Sequence, residues 1–116
     1  MMLSGVPVFI VEVKYKSPPS VANFERDYFG THVPLVERIP KLVAFTVARG
    51  PLVGQEQVFL LARLIFASEA DADVALATPE AAAAVANVEA FASGLYTLSR
   101  YCERPASEVA AEVSAN

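Results

Sequence analysis

Apolar and polar positions along the chain fall into blocks of two different periods. Val6 to Tyr15 opens with Val8-Phe9-Ile10-Val11, β-branched or aromatic throughout, and Glu12 is its first break; this is a strand pattern. Lys16-Ser17-Pro18-Pro19 interrupts it, because neither proline has an N–H to give. Ser20 then sits where a helix N-cap belongs, which predicts a helix starting at Val21. Val21, Phe24, Tyr28, His32, Leu35 and Ile39 recur every three or four residues and form one stripe. Gly30 and Pro34 predict a kink or break near Gly30-Thr31, with a second helical piece through Pro34 to Arg38.

After Pro40 the period returns to two. Val43, Phe45 and Val47 alternate with Leu42, Ala44 and Thr46, a second strand that ends at Gly50-Pro51. Gln57 to Phe66 is apolar on both faces except for Arg63, which predicts a strand buried on both sides. Ser68-Glu69-Ala70-Asp71 supplies a cap and first-turn acids for a short helix to Ala77. Thr78-Pro79-Glu80 repeats the start signal, with proline at the first helical position, for a long helix to about Ser93 and a stop at Gly94. Leu95 to Glu103 is the last strand. Arg104-Pro105 ends it, and Ser107 to Asn116 has weak helical character.

The order strand, helix, strand, strand, helix, strand predicts an α+β, ferredoxin-like domain over residues 1–104, followed by a tail over 105–116. Right-handed crossovers put both helices on one face of a four-stranded antiparallel sheet. The other face then has no cover, although strands one and three are apolar there too. A second copy of the chain is the simplest cover, so a homodimer is expected.

Composition sharpens this picture. Hydrophobic residues make up 54% of the 116 and charged residues only 19%, an excess that points to self-association or an apolar cavity. A net charge of −4 with nine scattered cations argues against nucleic acid. No run reaches the roughly 18 apolar residues of a membrane span. The single cysteine, Cys102, fits a reducing cytoplasm. One histidine and one cysteine cannot furnish a closed nitrogen and sulfur ligand set, so no metal is expected. No glycine-rich loop precedes a helix, so no phosphate site is expected either.

The residues with chemistry are few. His32 is the only histidine, set in an apolar stripe; imidazole exchanges protons near neutrality. It serves either as a general acid/base at a pocket or as a structural pin on a carbonyl freed by Pro34. Tyr28, one turn earlier, is either core or a hydrogen-bond partner of His32 and a ligand. Arg63 needs a partner inside an apolar strand: Glu12 on the neighbouring strand first, a ligand carboxylate or phenolate second. Tyr96 and Tyr15 either line a pocket, with hydroxyls for a carbonyl, or lie at a dimer seam.

Several of these residues also carry a family resemblance. Phe24-x-x-x-Tyr28-x-x-x-His32-x-Pro34-Leu35, then Pro40-x-Leu42, then Phe66-Ala67-Ser68, Thr78-Pro79-Glu80 and Ala86-Asn87 leading to Phe91-Ala92, resembles the EthD family of the dimeric α/β-barrel superfamily. The resemblance spans roughly residues 6–104. It implies two subunits whose sheets close a barrel, and a small hydrophobic ligand, aromatic or polyketide-like, in an oxidative catabolic pathway. It does not imply one reaction: beside it, the candidate residues read as a cofactor-free enzyme, an oxidoreductase or a lyase or isomerase, with His32 as the catalytic group and Tyr28, Arg63 and Tyr96 as substrate contacts. It also leaves room for a non-catalytic accessory protein, or for a haem monooxygenase with His32 as axial ligand. Asn87 stands where members commonly carry an aspartate, so no proton acceptor is implied there.

Overall fold

The computed structural model describes residues 6–115. Its elements are β1 (Val8–Lys16), α1 (Val21–Asp27), a π turn (Tyr28–His32), α2 (Val33–Glu37), β2 (Leu42–Arg49), β3 (Val58–Phe66), α3 (Glu69–Leu76), α4 (Pro79–Ala92), β4 (Tyr96–Glu103) and α5 (Ala106–Ser114). The sheet is four-stranded and antiparallel in the order β2-β3-β1-β4. The ferredoxin-like α+β fold read from the sequence is the fold observed. The two central strands are β1 and β3, the most hydrophobic in the sequence, while the more polar β2 and β4 take the edges.

Helix starts follow their capping residues. Ser20 Oγ accepts from the Asn23 N–H at 3.2 Å, Ser68 Oγ from Asp71 N–H at 3.1 Å and Thr78 Oγ1 from Ala81 N–H at 3.3 Å. Gly94 follows α4 with φ at 79°, a left-handed conformation that favours glycine. The predicted break near Gly30 is a π turn and not an interruption. The N–H of Val33 bonds the carbonyl of Tyr28, five residues back, and α2 continues from there. Widening the turn is one way to carry Pro34, whose ring clashes with the carbonyl four residues earlier in a regular helix.

The helix-covered sheet face holds the main core. Phe9 and Val11 of β1, Leu64 and Phe66 of β3, and Val36 and Ile39 below the π turn pack with alanines of α3 and α4. A second cluster gathers Tyr15, Phe24, Tyr28, Leu60 and Val88. Alanine at positions 81, 84 and 92 lets α4 lie close to the sheet.

The opposite face departs from the expected bare apolar surface. Val8, Ile10 and Ile65 are already buried there, packed with Ala44 and Tyr101. Further along the same strands the face is polar, with Glu12, Lys14 and Arg63. The tail helix α5 contributes no buried residue. The expected Arg63–Glu12 ion pair does not form, although the two residues are direct cross-strand partners. The Tyr101 hydroxyl donates to Glu12 at 2.6 Å, and Arg63 reaches across to Glu103 at 3.3 Å. Its side chain stays 31% exposed, so water and a carboxylate both offset the desolvation that the sequence pattern implied. Among the described residues, no helix is long and apolar enough to cross a membrane.

Candidate active site

A cavity of about 110 Å³ lies between the helices and the sheet of a single subunit. Val11, Val13 and Leu64 form its sheet wall, and Val36, Ala84 and Val88 its helical wall. Polar side chains enter at three points: His32 from the π turn, Tyr15 from the end of β1 and Tyr96 from the start of β4. Among the described residues no lysine, arginine, aspartate or glutamate lines it.

His32 is 6% exposed, the one buried polar residue of the described chain. Its ring packs on Tyr28 at 5.3 Å and Phe91 at 5.9 Å between centroids. Nδ1 lies 3.1 Å from Oδ1 of Asn87 on α4. A carboxamide oxygen only accepts, so Nδ1 carries the hydrogen and Nε2 keeps a lone pair. Nε2 has no hydrogen-bond partner among the described residues, where the Tyr28 hydroxyl is the one fully buried unpartnered side-chain atom. Nε2 therefore keeps contact with open space, and the cavity is the space that His32 borders.

Burial pushes the His32 pKa below its ordinary value, and the Asn87 hydrogen bond pulls it partly back. An unfolded imidazole titrates near ~6.5. As pH falls through that value the unfolded chain binds a proton that the folded chain resists, so stability declines with falling pH. Above it the histidine contribution is flat. Denaturant midpoints between about pH 7.5 and 5.5 should show this slope, and a His32→Gln variant should lack it.

Tyr28 does not reach the cavity. It is fully buried beside Phe24, Tyr15 and His32, and its hydroxyl has no partner. An unsatisfied buried hydroxyl costs about 1–3 kcal/mol, so Tyr28→Phe should stabilise the domain by that order in equilibrium unfolding. Tyr15, offered from the sequence as a pocket-lining residue, is in the wall. Burial, then the neighbouring Tyr96, pushes its hydroxyl pKa up, so it stays a donor. Tyr96 is at the cavity and hydrogen-bonds Glu89, whose carboxylate, ahead of burial, raises its pKa. Arg63 lies on the other sheet face, apart from His32 and Tyr96.

Of the residues singled out from the sequence, the structure thus brings together His32, Tyr15 and Tyr96 at the cavity, with Tyr28 packed on the imidazole. Asn87 was visible in the sequence only as a departure from a family pattern. Its role as the partner of His32 comes from a contact across 55 residues. The part of the cavity that one subunit encloses, about 110 Å³, is much smaller than a porphyrin.

Comparison with known proteins places this architecture. The chain is 38% identical over 93 residues to an uncharacterised 11.0 kDa protein of the thcB-thcC intergenic region of Rhodococcus erythropolis, spanning 78% of this chain and 90% of that protein. An EthD (ethyl tert-butyl ether degradation) family protein from Bacillus halodurans superimposes with a TM-score of 0.76 at 27% identity, over 81% of this chain and 96% of that one. A dimeric ferredoxin-like protein of unknown function from Jannaschia sp. CCS1 gives 0.64 at 14% identity, over 81% and 97%. No family model matches the chain.

Proposed function

The chain belongs to the EthD family, and from that premise we propose that it is a homodimer whose subunits each bind a small hydrophobic molecule and exchange a proton with it through His32. The observation that carries this reading is the Asn87–His32 pair, which holds a neutral imidazole with its basic nitrogen free at the edge of a hydrocarbon cavity. A base needs a lone pair at working pH and access to the proton it takes, and the neutral imidazole keeps the first at a position that borders the cavity. Of the other two polar groups of the wall, the Tyr15 phenol stays protonated and is suited to donating to a carbonyl or enolate oxygen, while Tyr96 gives its one hydrogen to Glu89.

The step this arrangement supports is abstraction of a hydrogen next to a carbonyl. The C–H bond breaks, its proton passes to Nε2, and the electron pair moves onto oxygen, which accepts from the Tyr15 hydroxyl. Return of a proton from Nε2 reverses it. His32 takes the proton and the carbonyl oxygen takes the electron pair, so this step balances without a cofactor. The test is exchange of the benzylic hydrogens of phenylacetone in D2O, followed by proton NMR. Acceleration over buffer supports the reading; binding without exchange leaves an accessory, non-catalytic protein.

The homodimer draws support from the Jannaschia protein of the same fold, which is dimeric. Sedimentation at micromolar concentration should give twice the mass of one chain, and a monomer would remove this part. The polar stretch of Glu12, Arg63 and Glu103 then faces the partner and fixes how the two sheets meet.

A further inference from the structure

Building on the cavity as a ligand site, we infer that its ligand is an uncharged, single-ring molecule that points an acidic O–H, a phenol or an enol, at Nε2 of His32. Three independent observations lead there. The first is the direction of the hydrogen bond. Asn87 takes the imidazole hydrogen on Nδ1, which leaves Nε2 as an acceptor. An ether or keto oxygen placed at Nε2 also only accepts and would leave that lone pair facing another, and a ketone turned with its oxygen to Tyr15 offers Nε2 only a C–H. A phenol or enol supplies the missing hydrogen, and its oxygen can still accept from the Tyr15 hydroxyl.

The second observation is charge. Three cations on the helical side of the sheet are engaged outside the cavity, Arg49 with Glu25 at 2.6 Å, Arg100 with Asp73 at 2.8 Å and Lys41 with Asp71 at 3.8 Å, and Arg38 is exposed at the end of α2. None lines the wall. A carboxylate entering it would lose its water and meet no counter-ion. An ammonium would meet no carboxylate there, and behind His32 stands a neutral carboxamide and not an acid.

The third is size. A volume of about 110 Å³, in a cavity that opens to the surface, is of the same order as the roughly 150 Å³ void that accommodates benzene in a dry protein core. One ring fills it, and a substituent can extend past Leu98, which is 54% exposed.

Isothermal titration of the full chain with p-cresol, 4-methylanisole and p-toluate separates the possibilities, since the three share a ring and differ in the polar group. The expected result is that p-cresol binds several-fold tighter than 4-methylanisole, while p-toluate shows no heat of binding. The preference for p-cresol should vanish in a His32→Phe variant. If that variant fails to fold, Asn87→Leu, which frees the tautomer, should shrink the same preference. Equal or tighter binding of 4-methylanisole, or measurable binding of p-toluate, overturns the inference and leaves the cavity as a ligand site. Binding by none of the three overturns both.

Discussion

A His32→Gln variant should exchange the benzylic hydrogens of phenylacetone about 10²–10⁴-fold more slowly than the unaltered protein, the usual contribution of a positioned general base. Glutamine keeps a polar side chain of similar reach beside Asn87, so the loss reports the missing base more than a collapsed wall. The effect is large because no other wall group can take over: the remaining polar members are phenols whose pKa is raised by burial or by Glu89. Asn87→Ala provides the control for positioning. It leaves the imidazole in place but releases Nδ1, so the rate should fall less and the pH profile should change. Exchange rates measured by proton NMR across pH check both variants. A His32→Gln protein as fast as the original would remove His32 from the chemistry.

Phe66→Ala should have the largest effect on stability, about 3–5 kcal/mol, the range for deleting a buried aromatic ring. Phe66 is fully buried on β3, hydrogen-bonded between β1 and β2, and it joins the sheet to Val36, Ile39 and the alanines of α3 and α4. A domain holds only about 5–15 kcal/mol in total, so the variant should be marginal and melt roughly 10–20 °C lower. The void would adjoin the cavity wall at Leu64 and Ile39, so ligand affinity should fall as well. Val113→Ala on the exposed face of α5 should change stability by no more than about 0.5 kcal/mol. Denaturant unfolding of both variants checks the contrast.

The fold was legible because local signals agreed with one another. Ser20, Ser68 and Thr78-Pro79 mark helix starts that the hydrogen bonds realise, and the apolar runs of β1 and β3 mark the central strands. Pro34 announced an irregularity, but its form depends on how Tyr28 and His32 pack, which no local pattern carries. The site was less legible for the same reason. Whether Tyr15 or Tyr28 faces the cavity is decided by strand register and by the π turn. Asn87 meets His32 only after α4 has docked. Arg63 read as a buried cation because its strand neighbours are apolar, yet they alternate between faces, and its own face carries Glu12, Tyr101 and Glu103.

The chain has one histidine, so a histidine-selective ¹H–¹⁵N spectrum contains one imidazole, and it reads the central arrangement directly. Near neutral pH the spectrum should show hydrogen on Nδ1 and a bare Nε2, and saturation with p-cresol should move the Nε2 resonance toward that of a hydrogen-bonded nitrogen. A hydrogen on Nε2 in the free protein, or an Nε2 signal indifferent to saturating ligand, would contradict the account.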